Sequence, residues 1–301
     1  MSWKLQEVPQ QKGRIAIVTG ANIGLGFETA TVLAQKGCTV VLACRNTEKA
    51  NAARDQILAK QPKAKVTCMP LDLSSLKSVK AFAKAYARDY KQLDLLINNA
   101  GIMMPPYALS EDGFESQWAA NYLGHFALTG LLLPRLVKTP GSRIVSLSSL
   151  AHNWGSIRLE DPSFKNGYDK REAYGQSKLA CLMFAYELQR RLTKAGHSTL
   201  SVAAHPGVSA TNLFQHLPKM VQVLSPIMSL VFQSARGGAL PSLYAALGAD
   251  VSGGDYYGPG SMGQMRGAPV KVSSNRASRD QSVAAALWSL SETQSGVRYL
   301  D

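Results

Sequence analysis

The chain has 301 residues, 46% of them hydrophobic and 18% charged, enough to bury one large core and too apolar for intrinsic disorder. Its 25 glycines and 14 prolines are near ordinary usage and exclude collagen-like and low-complexity architectures. The net charge is +13, but the cations are scattered, and the densest stretches (190–194 and 266–279) carry no aromatic interleaving, so no nucleic-acid partner is expected.

Short apolar runs alternate with helical patterns along the chain. Strands are expected at 14–19 (RIAIVT), 38–44 (CTVVLAC), 65–70, 93–98 (LDLLIN), 142–148 (SRIVSLS) and 198–204, with a last short strand at 270–273. Helices are expected at 24–36, at 47–60, at 74–90 with Ser74 as its cap, over a long stretch ending near Lys138, and at 171–194. Strands apolar on both faces and separated by helices predict a single-domain α/β fold. This is a doubly wound parallel sheet of about seven strands, a Rossmann fold, covered by helices on both faces. No linker or repeat divides it.

The four cysteines, Cys38, Cys44, Cys68 and Cys181, form no C-x-x-C pair and no His/Cys cluster. No metal site is expected, and three of them sit in apolar patterns, as buried thiols of a reducing compartment would. The polar N-terminus is not a secretory signal, and the apolar segments 123–134 and 220–232 are too short to span a bilayer, so a cytoplasmic location is expected.

The first strand runs into TGANIGLG. Gly20 suits a tight turn, Gly24 allows backbone to approach a pyrophosphate, and Gly26 allows close helix–strand packing, while Asn22, Ile23 and Leu25 complete the loop. The helix start offers N–H groups to phosphate oxygens. The second strand ends in Cys44-Arg45-Asn46 instead of a carboxylate. A guanidinium there pairs with a 2′-phosphate, so NADP(H) is expected over NAD(H). Asp72, followed by Leu73, is placed to accept from an adenine amino group or to cap a helix. Asn98, Ala100 and Gly101 end the fourth strand, where small residues let backbone lie against a ribose.

Tyr174 and Lys178 are four apart in a helical pattern and share a face. A phenol is a poor proton donor at neutral pH, and a neighbouring ammonium favours its ionised form. Ser149 ends the fifth strand, where a hydroxyl can hold a substrate oxygen, and Ser148 is its competitor. Asn121 lies inside the long helix, where Asn is unfavourable. Two readings compete: an exposed polar residue, or a kink that frees backbone to bind a water relaying protons to Lys178.

Together, TGANIGLG, Asp72, NNAG, Asn121, the serine pair and YGQSK resemble the short-chain dehydrogenases/reductases. CRN, the step from Ser149 to Tyr174, HPGVSATNL at 205–213, YYGP and LWSLSE are similar to the retinol dehydrogenase and protochlorophyllide reductase branch. The resemblance implies an NADP(H)-dependent oxidoreductase acting on a carbonyl or alcohol, with Asn121, Ser149, Tyr174 and Lys178 as catalytic residues. It also implies that Tyr174, Lys178, Pro206, Gly207, Val208 and Thr211 contact the nicotinamide half. Family members usually pair through the helices carrying Asn121 and Tyr174, which implies a homodimer or homotetramer. Two departures stand out: Ile23 replaces a common Ser or Thr, and the apolar N-terminal anchor of the membrane-bound retinol enzymes is missing.

Residues 206–235 are expected to form the substrate side. Leu213–Phe232, with Met103, Met104, His152 and Trp154, would wall an apolar pocket for a small-molecule substrate. A lid and a helix packed on the core or a partner subunit are the two readings of that segment. The competing functions are reduction of a conjugated C=C bond and a non-catalytic NADP-binding sensor.

Overall fold

The structure, a computed structural model, describes residues 3–208 and 233–300. Strand β1 (Ile15–Thr19) leads into helix α1 (Gly24–Gln35), β2 (Thr39–Cys44) into α2 (Thr47–Lys60), and β3 (Lys65–Pro70) into α3 (Leu76–Asp89). Strand β4 (Leu95–Asn98) leads through a π-helical turn (Trp118–Leu123) into α4 (Gly124–Leu136). Strand β5 (Arg143–Leu147), α5 (Lys170–Lys194) and β6 (Leu200–Ala204) follow, then α6 (Ala235–Leu247), β7 (Tyr256–Ser261), β8 (Arg266–Lys271) and α7 (Gln281–Ser295).

The eight strands form one sheet in the order β3-β2-β1-β4-β5-β6-β7-β8, parallel except for the antiparallel β7–β8 pair. The period of two sorts the central strands onto two cores. Ile17, Val41, Leu96 and Ile144 face α3, α4, α5 and α7, whereas Ala16, Val40, Leu42, Leu95 and Val145 face α1, α2 and α6.

Two expectations are corrected. Among the described residues the sheet has eight strands, against about seven expected, because 256–261 and 266–271 form a hairpin in place of a lone strand at 270–273. Helix α3 begins at Leu76, since Ser75 supplies the cap by accepting from Ser78 N, and Ser74 instead closes a turn on Asp72. The long helix opens with a π-turn in which the Gly124 amide bonds the Ala119 carbonyl, five residues back.

Helix α7 lies across α4 and α5. Trp288 stacks edge-on to Phe126 at 5.0 Å and parallel to Phe184 at 6.0 Å, and Tyr299 closes the cluster against Phe126. Gly130 is required on α4, where a Cβ would stand 2.4 Å from the Tyr299 ring. The four cysteines are unpaired, three of them buried and Cys68 partly exposed. No helix among the described residues is long and apolar enough to cross a membrane, and none of their His, Cys, Asp and Glu groups could hold a metal.

Candidate active site

The strand order reverses between β1 and β4, and a crevice is expected at the carboxyl ends of the strands there. A cleft of about 690 Å³ lies at that point. Its floor is the β1–α1 turn. Gly20 and Gly24 adopt φ of 63° and 61°, and a Cβ on Gly26 would come within 2.4 Å of the Gly20 carbonyl oxygen. Residue 26 must therefore be glycine for α1 to lie against the turn. Ile23 is 62% exposed and caps α1 without a side-chain hydrogen bond, leaving the first amides of the helix to a ligand. Asn22 and Leu25 line the same wall.

Arg45 lines the far wall, and Lys49 in the first turn of α2 joins it. Neither cation has an ion-pair partner among the described residues. No motif marks Lys49 in the sequence; the cap that Asn46 makes on its amide places it in the first turn of α2, beside the cleft. Asp72 and Leu73 line the cleft, and Asp72 Oδ1 is held by the Ser74 amide at 2.9 Å and hydroxyl at 2.6 Å. Asn99, Ala100 and Gly101 complete the lining.

Two expected cofactor contacts sit elsewhere. The Asn46 carboxamide caps α2, accepting from the Lys49 amide at 2.8 Å. Asn98 is 3% exposed and donates to Thr129 Oγ1 at 3.1 Å. Its neighbour Asn99 faces the cleft, because successive residues at a strand end point to opposite sides.

Helix α5 carries Tyr174 and Lys178. The Lys178 Nζ is 5.8 Å from the centre of the Tyr174 ring and donates to the Leu147 carbonyl at 3.2 Å. Lys178 is 6% exposed, whereas Tyr174 is half-buried. Lys178 adjoins the cleft through Gly101, where a Cβ would meet Lys178 Nζ at 3.2 Å and Asn121 Oδ1 at 3.1 Å. The two serines are distinguished by their bonds. Ser148 is buried and donates to the Lys178 carbonyl at 2.8 Å, whereas Ser149 is half-buried and its Oγ accepts from the Ala151 amide at 3.2 Å, leaving its hydroxyl proton to a ligand.

Asn121 is 1% exposed and lies in the π-turn. Its carboxamide accepts from Ile102 N at 2.8 Å and donates to Ile102 O and Ser177 Oγ. Its main-chain carbonyl accepts from His125 Nδ1 at 2.9 Å and Cys181 Sγ at 3.2 Å.

Trp154 is 41% exposed, with its ring 6.5 Å from that of Tyr174 and the Arg171 guanidinium 4.7 Å from the ring centre. Met104 holds a left-handed φ of 51°, fixed by the Gln117 carboxamide accepting its amide at 2.8 Å. His152 is turned inward, donating to the Ser149 carbonyl at 2.7 Å. The Pro206-Gly207-Val208 turn is braced by the β7–β8 connection through Val208 N to Met265 O at 2.9 Å. Thr211 and the segment Leu213–Phe232, with Met220 and Met228, lie outside the described residues.

Residues 14–222 match the family model described as short chain dehydrogenase. The chain is 39% identical over 292 residues to retinol dehydrogenase 12 of Mus musculus, covering 96% of this chain and 89% of the relative. It is 40% identical over 252 residues to the chloroplastic short-chain dehydrogenase TIC 32 B of Brassica napus, covering 80% and 79%. A crystal structure of an uncharacterised protein from Mycobacterium Paratuberculosis superposes with a TM-score of 0.84 at 43% identity over 99% of both chains. The Pseudomonas aeruginosa RhlG/NADP active-site complex shares the fold, with a TM-score of 0.64 and 24% identity over 82% of this chain and 94% of that one.

Proposed function

Because the chain belongs to the short-chain dehydrogenase family, we propose that it is an NADP(H)-dependent oxidoreductase acting on the carbonyl or alcohol of an apolar small molecule in the cytoplasm. The residues fit such a dinucleotide. A glycine-lined cradle and an open helix start would hold the phosphates, and Arg45 with Lys49 would suit a 2′-phosphate. Bound NADPH supplies a hydride, two electrons and one hydrogen, to the carbonyl carbon.

The chain supplies the rest. In reduction, the Tyr174 hydroxyl gives its proton to the carbonyl oxygen, so that hydride and proton together complete the alcohol. The Ser149 hydroxyl holds that oxygen, and the Lys178 ammonium offsets the negative charge left on the phenol. The observation that carries this reading is Lys178 itself. A buried ammonium stands 5.8 Å from the tyrosine ring and beside Gly101 at the end of the cleft. Curated relatives named retinol dehydrogenases favour an apolar alcohol or aldehyde, with Trp154 as one wall.

The test is an oxidation screen of NADPH and NADH over aldehydes, ketones, quinones and retinoids. Turnover with NADPH on a carbonyl substrate is expected. A preference for NADH, or a product reduced at C=C with its carbonyl intact, contradicts the reading.

A further inference from the structure

His125 lies on α4, 3% exposed, between Asn121 and Thr19, the residue before Gly20 of the cleft floor. Its Nδ1 is 2.9 Å from the Asn121 carbonyl oxygen, and its Nε2 is 2.9 Å from Thr19 Oγ1 at the end of β1. Counting donors settles the tautomer. A carbonyl oxygen only accepts, so Nδ1 carries the hydrogen. Thr19 Oγ1 already accepts from the amides of Asn99 and Ala100, each at 2.9 Å, so it has only its own hydrogen to offer. That hydrogen goes to Nε2 at 2.9 Å in preference to the Ile97 carbonyl at 3.3 Å. A second proton on the ring would find no acceptor. Burial pushes His125 down to about 4, and the Lys178 ammonium on α5 acts in the same direction. Cys181, which shares the Asn121 carbonyl, is itself held as a thiol by burial.

We infer that His125 is a positioning residue for the reaction: it ties the Asn121 carbonyl to Thr19, and so fixes the cleft wall and the tyrosine-bearing turn relative to each other. On one side Thr19 holds the backbone of Asn99 and Ala100, which lines the cleft. On the other, Asn121 clamps Ile102 from both sides and donates to Ser177 Oγ, which donates at 2.8 Å to the carbonyl of Tyr174. Every bond in this chain is between described, buried or half-buried groups. The Asn121 carbonyl accepts from both His125 and Cys181, and the two bonds together hold its peptide unit in place.

The inference rests on the oxidoreductase reading for its kinetic consequence alone, so the test has two arms. In the first, the ring nitrogens of ¹⁵N-histidine-labelled protein are observed by NMR, the His125 signals being assigned by their loss in His125→Gln. A neutral ring protonated at Nδ1 and unchanged from pH 8 to pH 5.5 is expected. An Nε2–H tautomer, or titration in the folded protein near the ordinary histidine value of about 6.5, overturns the inference. In the second arm, kcat and KM for NADPH are measured for His125→Leu and His125→Gln. Leucine removes both bonds, whereas glutamine keeps one donor and one acceptor. Leucine is expected to lower kcat on the order of tenfold or more, with glutamine restoring most of it. A folded His125→Leu protein with wild-type kcat and KM overturns the inference, and so does failure of folded His125→Gln to restore kcat. If His125→Leu does not fold, the glutamine variant and the NMR arm decide. Absence of turnover in the wild type would sink the oxidoreductase reading and leave the first arm to judge this one.

Discussion

At the scale of single residues, the cleft is asymmetric in charge. Arg45 and Lys49 stand on one wall with no carboxylate paired to either among the described residues. A charge-assisted hydrogen bond is worth about 1.5–3 kcal/mol, so Arg45→Ala should raise KM for NADPH on the order of tenfold and leave that for NADH nearly unchanged. Equal effects on both cofactors would remove Arg45 from the 2′-phosphate. The proximity of Tyr174 and Lys178 was legible because residues four apart on a helix share a face. The choice between neighbours was not. Asn98 and Asn99 differ only in which side of β4 they leave from, and Ser148 and Ser149 are separated by the bond that Ser148 makes to the Lys178 carbonyl. Such choices depend on strand phase and on partners far along the chain. The same holds for His125, which the sequence shows only as a histidine on a helix and the fold places 2.9 Å from Thr19.

At the scale of elements, the β1–α1 turn was readable from its glycines because each answers a local requirement. Gly26 gives the sharpest test. A methyl group there would meet the Gly20 carbonyl oxygen and the Asn99 carboxamide at 2.4 and 2.5 Å, so Gly26→Ala must push α1 away from β1. NADPH affinity, followed by fluorescence titration, should fall at least tenfold, as a misplacement of about 1 Å costs on the order of 100-fold in well-fitted sites. Unchanged affinity would mean that the cofactor does not lie on this turn. The β7–β8 hairpin escaped the sequence reading for the opposite reason. Tyr256-Tyr257-Gly258-Pro259 has no alternation, and Pro259 faces Pro269 across the ladder. Proline is tolerated near the sheet edge, where a missing N–H is not costly. The pairing of Ala203 and Ala204 with Tyr256 and Tyr257 then supplies the register that the pattern lacks.

At the scale of the whole molecule, α7 covers the outer face of α4 and α5, the helices through which dimers of this family were expected to form. Trp288 and Tyr299 fill that face with aromatic contacts, and Gly130 has no room for even a methyl group. Hydrogen exchange of α4 and α5 should therefore be independent of protein concentration. Protection of those helices that grows with concentration would show that α7 moves aside for a partner. The buried histidines set the acid limb of stability. Burial lowers His125 and His205 to about 4, and lowers His152 as well. The unfolded chain therefore takes up protons below about 6.5 that the folded one refuses, and stability falls as pH drops from there towards 4. Each of the two deepest histidines contributes a slope of up to about 1.4 kcal/mol per pH unit in that window. The urea midpoint should be clearly lower at pH 5.0 than at pH 7.5, and equal midpoints would contradict their neutral burial.

The most direct measurement of the central claim follows a deuterium atom. NADPH carrying deuterium at the transferred position of C4 is incubated with an apolar aldehyde and either the wild-type protein or Tyr174→Phe. The expected result is deuterium on the carbinol carbon with the wild type and a loss on the order of 10²–10⁴-fold in rate with the phenylalanine variant, its affinity for NADPH being nearly unchanged. Deuterium on a saturated carbon of a reduced C=C bond, or transfer by Tyr174→Phe at the wild-type rate, would contradict it.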